Sequence, residues 1–390
     1  MQKVDVVIAG GGAVGSAIAY FLCNQPAFSG TVVVVEPDPT YAFAASARSA
    51  SSIRRQFSTP LNIELSAFGW EFLRAGGLAG GRDLADVGLV ESTYLYLASA
   101  EGADALTQNV AVQRSCGVSV NWYDANALVL RYPWINASDL AAAADTADGE
   151  GWFDGYALLR ALRRANERRG VRYLRDQVVS LAMSGAHCVD GVGLNAGDTL
   201  RCRWFVNAAG THARSLAAHA GVDLPVFARK RNVFVFRGAS AIANCPLVID
   251  PTGLWFRPDG DRFICGPLPS VDSTVALDDF EVDHRLFEEV AWPALAHRVP
   301  AFEAVRVTSA WAGHYDYNVF DQNAFVGPCE AVPNLILACG FSGHGLQHAP
   351  AIGRALAELI TFGEYRSIDI TPLGYARYTR AQPLRERVVI

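Results

Sequence analysis

The sequence has no Cys-x-x-Cys pair. Its eight cysteines, Cys23, Cys116, Cys188, Cys202, Cys245, Cys265, Cys329 and Cys339, are scattered through 390 residues. That spacing argues against a disulfide framework or a zinc site and favours reduced thiols. No apolar run approaches the roughly 20 residues a membrane helix needs. An excess of one charge is also missing: 33 Lys plus Arg against 39 Asp plus Glu leaves a net charge of -6, too weak a field to organise nucleic acid or an anionic lipid surface. Met1-Gln2-Lys3 leads straight into the short apolar run Val4 to Ala9 and then into glycines. This is neither a signal-peptide core nor a cleavage site, so a cytoplasmic chain is expected. What remains is 51% hydrophobic and 18% charged, the composition of a globular protein with a sizeable core.

The 35 glycines are unevenly placed. Val4, Val6, Val7, Ile8 and Ala9 read as a buried parallel strand, and Gly10-Gly11-Gly12-Ala13-Val14-Gly15 follows at its end. Ala13, Val14, Ala17, Ile18, Phe21 and Leu22 form the apolar stripe of a helix, and Val32-Val33-Val34-Val35 is a second strand, ending in Glu36 and Pro37. The whole is a βαβ unit carrying G-x-G-x-x-G. In it Gly10 makes the tight turn, Gly12 lets a pyrophosphate approach the backbone, and Gly15 lets helix pack on strand. The helix N-terminus, Ala13 and Val14 included, faces the phosphates. Glu36 is placed to accept from a ribose diol, which argues against a 2'-phosphate and hence against NADP.

The unit alone leaves FAD and NAD open. Ser46-Ala47-Arg48-Ser49-Ala50-Ser51-Ser52 is a small, hydroxylated segment able to wrap phosphate oxygens and lie beneath a flat ring. Trp204-Phe205-Val206 opens into Asn207-Ala208-Ala209-Gly210. Leu335 to Ala338 is a strand, followed by Gly340-Phe341-Ser342-Gly343-His344-Gly345 and a helix expected from Leu346 to Thr361. A helix N-terminus aimed at a flavin carbonyl stabilises the anionic reduced ring, by about 0.3 to 2 kcal/mol from the dipole. These distant glycine turns favour FAD.

Taken together, the fingerprint with Glu36, Ser46-Ala47-Arg48-Ser49, Asn207-Ala208-Ala209-Gly210 and Gly340 to Gln347 resemble the D-amino-acid oxidase superfamily of FAD enzymes over nearly the whole chain. Trp311-Ala312-Gly313-His314-Tyr315-Asp316-Tyr317-Asn318 is most similar to its FAD-dependent oxidoreductase domain branch, one member of which is linked to assembly of a respiratory complex. The resemblance implies an α/β fold in which a Rossmann-like FAD-binding domain interleaves with an α+β substrate domain on a mostly antiparallel sheet. Residues 1–75, 150–220 and 325–390 would form the first, and 76–149 and 221–324 the second. The cofactor contacts it implies are Gly10, Gly12, Ala13, Val14, Gly15, Glu36, Pro37, Ser46, Arg48, Ser49, Ala50, Ser51, Ser52, Val178, Ala208, Gly210, Gly313, Gly340, Ser342, Gly343, His344, Gly345, Leu346 and Gln347. Val178 corresponds to the position whose backbone meets adenine.

The resemblance also implies chemistry: oxidation of the C–N bond of an amino acid or secondary amine carboxylate, giving an imine that hydrolyses. Arg54 aligns with an arginine that clamps the substrate carboxylate. His314, Tyr315 and Tyr317 are candidates to stand over the flavin and touch substrate, and Gln347 occupies the place of a carboxylate-gripping lysine. That replacement speaks against simple N-methylglycine as substrate. Gly313 stands where sarcosine oxidases attach flavin to cysteine, and no histidine lies near Ala44-Ala45, so FAD is expected to be non-covalent. Ile264 replaces a lysine that assists oxygen reduction, which leans towards a dehydrogenase with another electron acceptor. His344 and His348 have i, i+4 spacing but no matching carboxylate, so no metal is expected. Trp255, Trp311, Phe341, Tyr94 and Tyr96 read first as core aromatics. Two other readings stay open: a non-catalytic flavoprotein that assists assembly of a complex, and a flavin-dependent 2-hydroxy-acid dehydrogenase.

Overall fold

The computed structural model describes residues 2–78, 84, 86–238 and 242–387. Its first sheet runs in the order Val178–Met183, Val189–Leu194, Thr199–Asn207, Gln2–Ala9, Val32–Val35, Arg172–Leu174. Val332–Cys339 joins the far end of Thr199–Asn207, and Phe325–Cys329 pairs outside it. The central strands are parallel, and Val6 to Ala9 and Val32–Val35 are buried on both faces, as a sheet covered by helices requires. Their register decides where a ligand goes. Ala9 lies opposite both Asn207 and Val35, Asn207 opposite Leu337, and Val35 opposite Leu174. The carboxyl ends of these strands therefore form one row, and the segments leaving them, at Gly10, Glu36, Ala208 and Gly340, emerge side by side. In open α/β sheets that edge is where dinucleotides bind.

Helices Ala13–Cys23 and Gly345–Phe362 pack together on one face. They come so close that a Cβ on Gly353 would meet the Ala17 carbonyl carbon at 2.7 Å. Pro60–Ala75 packs on the second of these in the same way, with Gly69 against the backbone of Gln347.

The second sheet has the order Val305–Asn318, Val226–Gly238, Arg262–Gly266, Trp255–Asp259, Leu247–Ile249, Tyr94–Ala98, Ala142–Thr146, Val120–Asp124. Only the pairing of Leu247–Ile249 with Tyr94–Ala98 is parallel. Phe234, Phe236, Phe256, Phe263 and Phe302 fill the core on one face, each contributing roughly 2 to 3 kcal/mol by burial. The other face, with Val233, Val235, Ile264, Trp255 and Trp311, packs on Ala50. The small sheet of Ser52–Ile53, Glu150–Trp152 and Val90–Ser92 joins the two.

All eight cysteines are free thiols. Among the described residues no helix is long and apolar enough to cross a membrane, and no group of three or more His, Cys, Asp or Glu side chains is arranged around a metal position.

Candidate functional site

The row of strand ends builds a cradle from backbone. Gly10 turns at φ +97°, and its amide donates to the Val35 carbonyl at 2.9 Å. A Cβ there would lie 2.3 Å from the Ala208 oxygen, and one on Gly15 would lie 2.0 Å from the Gly10 oxygen. Only glycine tolerates both the dihedral and the approach. On Gly12 a Cβ would meet nothing nearer than Ser46 Oγ at 3.5 Å, so that backbone is open to a ligand. The helix beginning at Ala13 receives no side-chain cap from Gly12 and has no acidic residue in its first turn. Ser46 Oγ accepts from the Ala13 amide at 3.0 Å. With Val14 and Gly15 following, the helix end suits a pyrophosphate.

Glu36 accepts from the amides of Gly11 at 2.8 Å and Asp38 at 3.0 Å, which fixes its carboxylate above the cradle next to the exposed Pro37. Burial pushes its pKa up while those two amides pull it down. Its remaining lone pairs suit a ribose diol.

The serine-rich segment is pinned to the second sheet. Arg48 donates to the carbonyls of Ala42 and Ala312, both at 2.7 Å, and lies over the rings of Phe43 and Phe280. Trp311 Nε1 donates to the Arg48 carbonyl at 2.9 Å, and a Cβ on Gly313 would come 3.1 Å from Arg48 Cβ. Ser49 Oγ accepts from the amide of Ser51, which sits at φ +56°. Ala50 offers its carbonyl to Arg257 and to the Ser52 hydroxyl. Ala208 donates its amide to Ala9, and Gly210 turns at φ +55°. Val178 is buried at the start of the edge strand, opposite Leu194.

The turn at 340–345 is held by the strand Val305–Asn318. Gly340, Ser342 and Gly343 all have positive φ. The Gly340 amide donates to Asp316 Oδ2 at 2.6 Å, the Ser342 amide to the Asp316 carbonyl, and the Asn318 amide to Ser342 Oγ. Burial raises the Asp316 pKa to about 6 against the opposing pull of the Phe341 and Gly340 amides. The Tyr315 ring packs so tightly on Gly343 that a Cβ there would lie 2.6 Å from it. Gly345 begins the helix with Phe341 over it, and Leu346 is buried behind.

Alternation along the strand separates the residues expected over the flavin. Tyr315 and Tyr317 share one face with Arg231 and Arg229. His314 points to the other face, where its ring stacks on Phe280 at 4.1 Å and Nε2 contacts the Asp279 carbonyl at 2.7 Å. These three side chains do not form one cluster.

A different group forms around Arg54. Its guanidinium lies over the Phe57 ring at 4.4 Å and the Tyr94 ring at 5.8 Å, and Nη2 is 3.1 Å from His344 Nε2. Guanidinium has no acceptor, so His344 Nε2 must accept and the imidazole is neutral there. Burial and the neighbouring charge of Arg54 hold the His344 pKa well below its usual value. Arg54 Nε is buried and has no hydrogen-bond partner. Among the described residues no carboxylate reaches Arg54 within ion-pair distance. Burial pulls its pKa down, but the Tyr96 and Tyr94 phenols and the more distant Glu386 and Glu150 outweigh it, and the net direction is up.

Gln347 is tied to the same residue by a route the sequence did not suggest. Its Oε1 accepts from the Arg54 amide at 3.0 Å and from Ser66 Oγ at 3.3 Å, and Ser66 Oγ in turn is 3.0 Å from His348 Nε2. Gln347 thus orients the backbone of Arg54. Tyr94 and Tyr96, stacked at 6.4 Å, and Phe57 line this place, and Glu150 lies behind it. The sequence signal for Glu150 is slight: an acid between Gly149 and Gly151, one of several in the stretch from Asp145 to Asp154.

His348 is buried, and burial followed by the Arg54 charge pushes its pKa down to about 3. The unfolded chain takes up a proton near pH 6.5, whereas the folded protein does so only near 3. Stability is therefore lost progressively as pH falls through that window. Asp316, with its raised pKa, acts in the opposite direction between about 4 and 6. We expect urea midpoints measured from pH 7.5 to 4 to fall less steeply in His348→Gln than in the parent; equal slopes would show that His348 carries none of the acid sensitivity.

A parallel sheet with a glycine cradle at its carboxyl edge, joined to a mostly antiparallel sheet over a buried arginine, defines a dinucleotide-dependent oxidoreductase. More particularly, the chain belongs to the FAD dependent oxidoreductase family, which matches residues 5–359. FAD is its cofactor, and Gly313 and Ala44-Ala45 present no side chain for a covalent link. The chain is 38% identical to the FAD-dependent oxidoreductase domain-containing protein 1 of Xenopus laevis, over all of this chain and 85% of that protein. It is 26% identical to glycine oxidase of Geobacillus kaustophilus, over 97% and 98% of the two. The fold is similar to that of L-proline dehydrogenase from P. horikoshii, with a TM-score of 0.85 at 23% identity, covering 98% of this chain and 100% of that one.

Proposed function

We propose that the protein oxidises the C–N bond of an amino acid or secondary amine carboxylate, with Arg54 as the anchor for the substrate carboxylate. The observation that carries this reading is the Arg54 guanidinium, flanked by Phe57 and Tyr94, with Nε buried and unpartnered and no carboxylate in contact. A buried cation in that state accepts an incoming anion strongly, because both are then relieved of an unpaired charge. When bound, FAD supplies the two-electron acceptor at its N5. The cradle at Gly10, Gly12, Ala13 and Gly15, with Glu36, Ser46 and Gly340 to Gly345, would hold it.

The chain's residues have separate duties. Gln347 fixes the Arg54 backbone and His344 its guanidinium. Because His344 Nε2 is occupied by Arg54, it does not take the proton of the substrate amine, which must arrive neutral. Tyr94 and Tyr96 supply aromatic walls. Tyr315 and Tyr317, on the sheet face that meets the Gly343 turn, are the further substrate contacts of this reading, and His314 is not one. Relatives named glycine oxidase and L-proline dehydrogenase accord with an amino-acid substrate. Ile264 is buried with Val233, Val235, Trp255 and Trp311 and brings no lysine to that wall, where the cation is instead its cross-strand partner Arg257, held on the Ala50 carbonyl; the missing lysine favours an electron acceptor other than oxygen.

The test is anaerobic reduction of the FAD-loaded protein by a panel of N-methyl, cyclic and D- and L-amino acids, opines and 2-hydroxy acids. Bleaching of the flavin's visible absorbance by an amine carboxylate is expected. Bleaching by hydroxy acids alone would replace the C–N reading, and no bleaching by any member would support a flavoprotein that assists assembly without catalysis.

A further inference from the structure

Glu150 is completely buried, yet it forms no ion pair among the described residues. Its carboxylate instead receives five hydrogen bonds. Oε1 accepts from the amides of Arg55 at 2.7 Å and Gln56 at 3.1 Å. Oε2 accepts from Gln56 Nε2 at 3.0 Å, the Tyr94 amide at 3.0 Å and Thr146 Oγ1 at 2.9 Å. Gln56 Nε2 also donates to the Tyr94 carbonyl at 2.8 Å. Every neighbour is a donor, so the site is built for an acceptor-only group, which among side chains of this shape is a carboxylate and not its amide.

These donors come from three elements: the segment just after Arg54, the strand of Tyr94 and Tyr96, and the strand Ala142–Thr146. The first two supply the Phe57 and Tyr94 rings over which the Arg54 guanidinium lies. We propose that Glu150 is a positioning residue for anion binding, fixing the spacing between the Arg54 guanidinium and the Tyr94 wall without touching the ligand. The proposal rests on the reading of Arg54 as carboxylate anchor. It also accords with a buried arginine that has no contacting counter-ion among the described residues: Glu150, with Glu386, contributes its field without occupying the guanidinium.

The two possible roles of Glu150 have opposite signs. As a bystander negative charge it would repel an incoming carboxylate, so its removal would tighten binding. As a positioning group its removal would loosen the Arg54 segment and weaken binding. In Glu150→Gln the amide NH2 would face donors, leaving several unsatisfied.

The experiment titrates the FAD-loaded protein with propanoate and with its neutral isostere propanamide, following the flavin absorbance. Relative to the parent, Glu150→Gln is expected to weaken propanoate about tenfold or more and to lower the ratio of propanoate to propanamide affinity, with FAD content unchanged. Thr146→Val removes one donor and should shift the ratio in the same direction by about two- to fourfold. It carries the test if the first variant does not fold. Propanoate binding as tight as or tighter than in the parent, in whichever variant folds, overturns the proposal. Arg54→Ala in the same titration separates the two ideas: if it too leaves propanoate affinity unchanged, the anchor reading itself fails, whereas loss in Arg54→Ala beside no change in Glu150→Gln removes Glu150 alone.

Discussion

Arg54→Ala should raise KM for the amine carboxylate substrate by about two orders of magnitude while FAD stays bound. Truncating one partner of a buried, hydrogen-bonded charge pair costs about 2 to 5 kcal/mol, and each 1.4 kcal/mol is tenfold. The change falls mainly on the substrate side because the guanidinium touches Phe57, Tyr94 and, of the FAD-holding segments, only His344, and no residue of the cradle at Gly10–Gly15. Steady-state kinetics on the substrate found by flavin bleaching, with absorbance to count bound FAD, decides it. An unchanged KM would remove the clamp. Loss of FAD would instead make Arg54 a structural part of the cofactor side. Arg54→Lys should recover only part of the loss, since an ammonium offers a point charge where the carboxylate meets a planar fork.

Gly10→Ala should yield protein that folds poorly and purifies with little or no FAD. The φ of +97° lies where a side chain is strained, and the new methyl would stand 2.3 Å from the Ala208 carbonyl oxygen. The backbone strain alone is about 1 to 2 kcal/mol, and the clash must be relieved by moving the first strand's exit away from the Ala208 turn. Both sides of the cradle are then displaced. Flavin content per protein and thermal midpoints check this, and Gly12→Ala is the internal control. Its Cβ has room next to Ser46, so it should fold as the parent does while weakening FAD through contact with the ligand alone. Equal behaviour of the two variants would contradict the division of labour between these glycines.

Much of this architecture could be read from the chain. The expected βαβ unit appears as Gln2–Ala9, Ala13–Cys23 and Val32–Val35, and the final helix, expected from Leu346 to Thr361, spans Gly345–Phe362. Glycine-punctuated apolar runs make such elements legible because periodicity and turn chemistry agree. The Arg54 environment was only half legible. Arg54 stood out through its alignment with the family's carboxylate-binding arginine, but its setting depends on residues 40 to about 290 positions away, Tyr94 and His344 among them. Gln347 was expected to meet the substrate, and the structure turns its amide to the Arg54 backbone. Glu150 was invisible because one acid among Asp145, Asp148 and Asp154 says nothing until the fold surrounds it with donors. His314, Tyr315 and Tyr317 were grouped because the family resemblance places their segment over the flavin, and alternation along the strand sends His314 to the face opposite the two tyrosines.

The row formed by Ala9, Val35, Asn207 and Leu337 has a consequence for how the protein comes to exist. The cradle is closed by segments from nearly the whole span of the chain, so loop-closure entropy is spent before any dinucleotide contact can repay it. Such a topology folds slowly. A nascent chain that has delivered the glycine fingerprint but not residues 332–345 has a nucleotide loop without the turn proposed to face the flavin. FAD supply then becomes a determinant of protein yield: the ligand binds only the completed assembly and, by mass action, withdraws it from the unfolded pool.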